Sequence, residues 1–247
     1  MQAIILAAGV GARLEPSGHR APKCLLRFGG VSLLERHLGN LVSLGIDDIR
    51  VCVGHESDTV LGEIADSEYD AHVSTVINPD FREGSIVSLW TMRGALRHGG
   101  GVVLMDADVL YAPEILGRLA RRSGSCLAMD RGFIPGDEPV KVCVADGRVV
   151  EFSKKVAPDL RFDTQGESVG FFRFAAPQAA DLAGRLERML VAGGRALPYE
   201  DAVRDLILAD PAAFFVEDVT GLPWIEIDFP EDVARARDVV LPAIDAH

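Results

Sequence analysis

Gln2-Ala3-Ile4-Ile5-Leu6-Ala7-Ala8-Gly9-Val10-Gly11-Ala12-Arg13 carries an apolar run directly into a stretch of small residues, and Pro22-Lys23 follows soon after. The run over 2–6 is apolar without alternation, the pattern of a strand covered on both faces. The small residues beyond it let backbone N–H groups approach an anion. Glycine also supplies the φ angles that such a nest requires. Ligands of open α/β sheets sit at the carboxyl ends of strands, where this loop falls. Arg13 and Lys23 add fixed positive charge, and Pro22 stiffens the approach to Lys23. A tight strand–helix turn would use the same small residues, so G-x-G alone decides little.

Two familiar phosphate loops do not fit. The segment lacks the GxxxxGK[ST] pattern. The third glycine of a dinucleotide fingerprint is replaced by Leu14, and Val53-Gly54 stands where an acid would end the second strand.

Outward from the loop, short apolar, β-branched runs predict strands over 49–53, 72–77, 102–105 and 126–129. Helical spacing falls between them, over 56–65, 85–97 and 113–122. Ser32-Leu33-Leu34-Glu35 is a capping box, followed by Leu33, Leu34, His37, Leu38, Leu41 and Leu44 on one helical face, with Gly45 as the stop. After about residue 135 the pattern changes. Runs over 141–145 and 148–152 flank Asp146-Gly147, a hairpin signal. A strand over 168–174, helices over 178–190 and 199–208, a strand near 214–216 and a helix from Pro230 complete the chain. The expected fold is α/β: a doubly wound, mostly parallel Rossmann-like sheet with an antiparallel insertion. One domain is expected over 1–247, with a nucleotide-binding half over 1–130, an acceptor-binding insertion over about 131–220, and a metal-binding strand and closing helix over 221–247.

The composition limits the partners. Net charge is −12, which argues against nucleic acid or an anionic membrane surface. Hydrophobic residues make up 48% and charged residues 25%, as in ordinary soluble proteins. No stretch approaches the roughly 20 apolar residues of a membrane span. Cys24, Cys52, Cys126 and Cys143 form no CxxC pair and read as reduced thiols of a cytoplasmic protein. The oligomeric state is open, a homodimer included.

Acidic residues recur at strand ends. Magnesium is held by one or two carboxylates together with substrate phosphates and water. Val102-Val103-Leu104-Met105 runs into Asp106-Ala107-Asp108, again at a carboxyl edge. In Trp224-Ile225-Glu226-Ile227-Asp228, alternation puts Glu226 and Asp228 on one face. Asp228 also suits the N-cap of the last helix.

L-A-A-G-x-G-x-R followed by P-K at Pro22-Lys23 resembles the signature of the NTP-transferase (nucleotidyltransferase) family. The resemblance implies a nucleotide-diphospho-sugar transferase-like fold, with Leu6, Ala7, Ala8, Gly9, Gly11, Arg13 and Lys23 around a triphosphate. Lys23 and Arg13 then act in catalysis, Asp108 and Asp228 hold Mg2+, and Asp106 neighbours the ribose or the metal. The stretch 78–89, together with Ser153-Lys154-Lys155, Ser168-Val169-Gly170 and Tyr199-Glu200-Asp201-Ala202, is similar to the small-substrate cytidylyltransferases that act on phosphocholine and phosphonates. That branch implies CTP, with Ser85 and Ser88 near the base, although Ser85 also suits a helix cap. A sugar 1-phosphate acceptor with another nucleotide is the rival within the family, and a non-catalytic nucleotide-binding module the rival outside it. For the acceptor, Arg131, Lys141, Lys154 and Arg173 suit a small phosphonate or phosphate. Glu200 and Asp201 suit an amine, and Glu226 is expected on the acceptor side. Phe133, Tyr199 and Trp224 are the candidates for an aromatic cage.

Overall fold

The computed structural model describes residues 1–14, 21–134 and 136–247. Residues 15–20 of the expected triphosphate loop lie outside the described residues. Strand β1 (Gln2–Ala7) lies in the interior of a nine-stranded sheet. A small hairpin, β2 (Arg27–Phe28) with β3 (Val31–Ser32), leads into helix α1 (Leu33–Ser43). Ser32 caps α1 by accepting the Glu35 amide at 3.1 Å, and the predicted apolar face is buried. The chain then passes through β4 (Asp48–Val53), α2 (Ser57–Asp66) and β5 (Val73–Ile77). Helices α3 (Ser85–Thr91) and α4 (Arg93–Leu96) lead to β6 (Val102–Asp106).

These strands run parallel in the order β5-β4-β1-β6. Parallel neighbours need crossovers, and crossover helices cover both faces of the sheet. Successive β1 side chains accordingly enter different cores. Ile4 packs in the cluster of Val87, Leu104 and Leu206, while Ala3 and Ile5 join Leu38, Val103 and Ile115. Chain order reverses between β1 and β6, which places a switch-point crevice beside the loop after β1.

The second half adds β7 (Val109–Tyr111), α5 (Pro113–Arg121), β8 (Ser125–Asp130), β9 (Lys141–Ala145) and β10 (Arg148–Ser153). It continues with β11 (Thr164–Phe174), α6 (Ala176–Val191), α7 (Tyr199–Ala209), β12 (Phe214–Asp218), β13 (Trp224–Glu226) and α8 (Pro230–Arg235). β11 runs antiparallel to β6 and carries β9 and β10 onto the same sheet, with β8 and β12 branching from it. The fold is α/β, with a parallel half extended by antiparallel strands.

Three boundaries differ from expectation. The helix expected over 85–97 is two pieces, because Met92 turns at φ −85, ψ 7. β11 begins at Thr164, four residues before the expected strand, where Thr164, Gln165 and Glu167 show no apolar pattern. Its register shifts between Ser168 and Phe172, around Gly170 at φ 77. β7 was not expected as a strand. Among the described residues, no helix is long and apolar enough to cross a membrane.

Candidate active site

β1 and β6 end side by side, with Leu6 opposite Asp106 in register. Beyond β6 the chain turns at Ala107-Asp108 instead of continuing the strand, so alternation does not govern where Asp108 points. The Ala107 amide donates to the Leu6 carbonyl at 3.3 Å and holds this turn against the glycine loop. β13 pairs antiparallel with β7, Glu226 opposite Val109. The Ile227 amide then donates to the Asp108 carbonyl at 2.9 Å. Two acids more than a hundred positions apart are thereby brought together.

Lys23 stands between them. Its ammonium donates to Asp228 Oδ1 at 2.6 Å and to Asp108 Oδ2 at 3.0 Å. Burial disfavours the Lys23 charge, but the two carboxylates outweigh it and hold its pKa above that of ordinary lysine. Arg13 donates to Asp228 Oδ2 at 2.7 Å. Burial opposes the Asp228 charge, and Lys23 with Arg13 prevail, keeping that carboxyl below the usual range. Gly11 sits at φ 67, and a Cβ there would lie 3.1 Å from Lys23 Cγ, so the loop needs glycine to admit the lysine stem.

Asp108, Glu226 and Asp228 each offer a carboxylate oxygen within 4.8 Å of the others, a set of hard donors suited to a divalent cation. Glu226, expected on the acceptor side, is thus also part of this cluster. Enclosure by protein, reinforced by Asp108 and Asp228, pushes its carboxyl up to about 8. Asp106 lies behind the cluster and accepts from the Tyr199 hydroxyl at 2.7 Å. Burial, then Glu200 and Asp108, raise its pKa well above the ordinary value. Asp228 does not cap the last helix. Phe229 is its N-cap residue, and Asp232 reaches back to the Asp228 and Phe229 amides at 3.1 and 2.8 Å.

Two cavities meet here. One, of about 570 Å³, is lined by Leu6, Ala7, Ala8, Gly9, Gly11 and Arg13 with Lys23, Asp108, Ser85 and Ser88. Ser85 is not a cap, because Gly84 holds that position and the Ser85 hydroxyl accepts the Tyr199 amide at 2.9 Å. The Ser88 hydroxyl accepts from Asn78 Nδ2 at 3.0 Å. The other cavity, of about 390 Å³, is lined by Lys154, Phe133 and Trp224 among others. Asp106, Tyr199, Glu200, Glu226 and Asp228 line both.

Three expected acceptor cations point elsewhere. Arg131 pairs with Asp218 at 2.7 Å. Lys141 donates to the Gly136 and Lys154 carbonyls at 2.6 and 2.7 Å, tying the loop before β9. Arg173 donates to the Gly124 carbonyl. Asp201 does not line either cavity. A residue not anticipated from sequence, Glu138, bridges Arg13 at 3.2 Å and Lys154 at 3.3 Å, linking the glycine loop to the insertion. Nothing in its local sequence signals that bridge.

The profile of the MobA-like NTP transferase domain matches residues 3–170. The chain is 33% identical, over 97% of its length, to a bifunctional IPC transferase and DIPP synthase of Rubrobacter xylanophilus. It is 30% identical, over 96% of its length, to a CMP-5'-(3-aminopropyl)phosphonate synthase of Streptomyces rubellomurinus. It spans 52% of the first relative and 38% of the second. Among solved structures, the CTP:phosphocholine cytidylyltransferase of Streptococcus pneumoniae aligns with a TM-score of 0.75 at 23% identity, over 96% of this chain and 98% of that one. The fold is that of the nucleotide-diphospho-sugar transferases.

Proposed function

The chain belongs to the MobA-like NTP transferase family, and from that membership we propose that it is a cytidylyltransferase, moving CMP from CTP to a small phosphonate or phosphomonoester with release of pyrophosphate. The observation that carries this reading is the meeting of two cavities at Glu226 and Asp228, beside Lys23 and Asp108, one walled by the glycine loop and the other by the insertion. The relatives supply the choice of nucleotide and acceptor, since one makes a CMP-phosphonate.

In the proposed reaction an acceptor oxygen attacks the α-phosphorus of CTP. The new O–P bond forms as the α–β bridging bond breaks, and pyrophosphate leaves with that electron pair. A phosphomonoester is largely doubly ionised at neutral pH, its second pKa being about 6. A phosphonate has lost at least its first proton, so an anionic oxygen is available and no residue need remove a proton. The site accordingly does its work by positioning and charge. Lys23 and Arg13 would neutralise phosphate oxygens held by the loop. Asp108 and Asp228, with Glu226, would hold magnesium, which when bound would supply charge neutralisation at the transferring phosphate. The reading places the protein in the cytoplasm, acting on small molecules.

The test is pyrophosphate release with four nucleoside triphosphates crossed against phosphonates, phosphoalcohols and sugar 1-phosphates, with and without magnesium. Turnover is expected with CTP and the small phosphonates or phosphoalcohols. Reaction confined to sugar 1-phosphates with UTP or GTP would overturn the acceptor and nucleotide assignment.

A further inference from the structure

Eight carboxylic side chains but two cationic ones, Lys154 and Arg235, line the acceptor cavity among the described residues. Half of these acids are already engaged. Asp228 meets Lys23 and Arg13, Glu138 meets Arg13 and Lys154, Asp232 serves backbone amides, and Asp106 accepts from Tyr199.

Away from the junction with the nucleotide cavity, Asp130 and Glu167 form a different arrangement. They are register partners on β8 and β11, so the two carboxyls stand side by side on one face of the sheet, and both line the cavity. Asp130 is oriented by the Gly132 amide at 2.7 Å and by the Trp224 indole N–H at 2.9 Å. Neither donor is a cation. Glu167 has no ion pair or side-chain hydrogen bond among the described residues. Like charges placed directly opposite repel. Burial and then Asp130 push Glu167 up to about 7, despite the opposing pull of Arg235 and Lys141. A second acid in the same cavity, Glu200, keeps Oε2 buried and without a partner. The walls therefore hold more carboxyl groups than the protein itself pairs with cations.

We propose that the end of the acceptor cavity formed by Asp130 and Glu167 binds a cationic nitrogen, so that the acceptor is a zwitterion with its phosphonate or phosphate toward Lys23 and an ammonium between these two carboxyls. The inference rests on the nucleotidyl-transfer reading above. A polyol would supply hydrogen bonds here but leave the two acids facing each other, whereas an ammonium donates to both and removes their repulsion. Trp224, fixed by its bond to Asp130, and Phe133 on the same wall add aromatic faces that favour a cation.

The test compares an aminoalkyl phosphonate with the alkyl and hydroxyalkyl phosphonates of equal length, using wild type, Glu167→Gln and Asp130→Asn, with thermal melts to verify folding. Wild type is expected to prefer the aminoalkyl compound in kcat/KM by about tenfold or more. Each substitution is expected to cut that preference by about tenfold, through KM more than kcat. Equal use of the three acceptors by wild type, or a preference that survives both substitutions, overturns the proposal. Absence of pyrophosphate release with every acceptor instead overturns the transfer reading on which it stands.

Discussion

Lys23 is held by both Asp108 and Asp228, and the glycine loop has given up a side chain at Gly11 to admit its stem. On the proposed reading, replacing Lys23 with Ala removes a positive charge from the transferring phosphate. Turnover is expected to fall on the order of 10²- to 10³-fold, as when one preorganised donor is lost from an oxyanion site. Initial rates of pyrophosphate release with CTP measure this, and a near-normal rate would exclude Lys23 from the chemistry. At this scale sequence reading had a defined reach. Lys23, Asp108 and Asp228 were legible through the resemblance of their motifs to the family signature, and both acids lie within hydrogen-bonding distance of Lys23. Glu226 was only half legible. Alternation shows that it shares a face with Asp228, but the pairing of Glu226 with Val109 decides what that face looks at. Arg131 and Lys141 were misplaced because a long cationic side chain chooses its partner in space. Here the partners are Asp218 and two loop carbonyls.

Among the elements, α1 shows how a buried face constrains stability. His37 lies on that face, stacked on Tyr111 with ring centroids 5.3 Å apart. Burial lowers its pKa to about 4 from the ordinary 6.5. The unfolded chain therefore takes up this proton first. The stability it withholds is fully present above about pH 6.5 and is lost as pH falls toward 4. Glu167 and Glu226, shifted upward, bias stability in the opposite sense between about pH 4.5 and 8, so the histidine contribution must be isolated by difference. Between pH 7 and pH 5, urea denaturation of wild type should lose roughly 2 kcal/mol more than His37→Phe. An equal loss in both proteins would show that His37 carries no such burden. The elements themselves were legible in proportion to their burial and length. The parallel strands announce themselves as apolar runs because both faces are covered. β7 and β13, three residues each, are too short to show a period, and the polar first half of β11 hides its strand.

For the molecule as a whole, the order of strands and helices was readable, but the closure of the site was not. Three carboxyl groups within reach of one another oppose folding unless a cation joins them, and Lys23 compensates only in part. Magnesium is expected to raise the thermal midpoint of wild type, and an excess of chelator to abolish pyrophosphate release. The doubly substituted protein Asp108→Asn/Asp228→Asn should lose the magnesium-dependent rise. A rise of equal size in that variant would place the ion elsewhere.

The pairing of β13 with β7 also sets an order in time. An emerging polypeptide carries the glycine loop, Lys23 and Asp108 long before it carries residue 228. Until the ribosome has added the strand at Trp224–Glu226 and the acid beyond it, the lysine lacks one of its two carboxyl neighbours and the three-acid cluster does not exist. A nascent chain thus passes through a long interval in which the glycine loop and Lys23 are present without the three-acid set that the proposed transfer needs. Synthesis itself would withhold the proposed activity until a strand three residues long arrives.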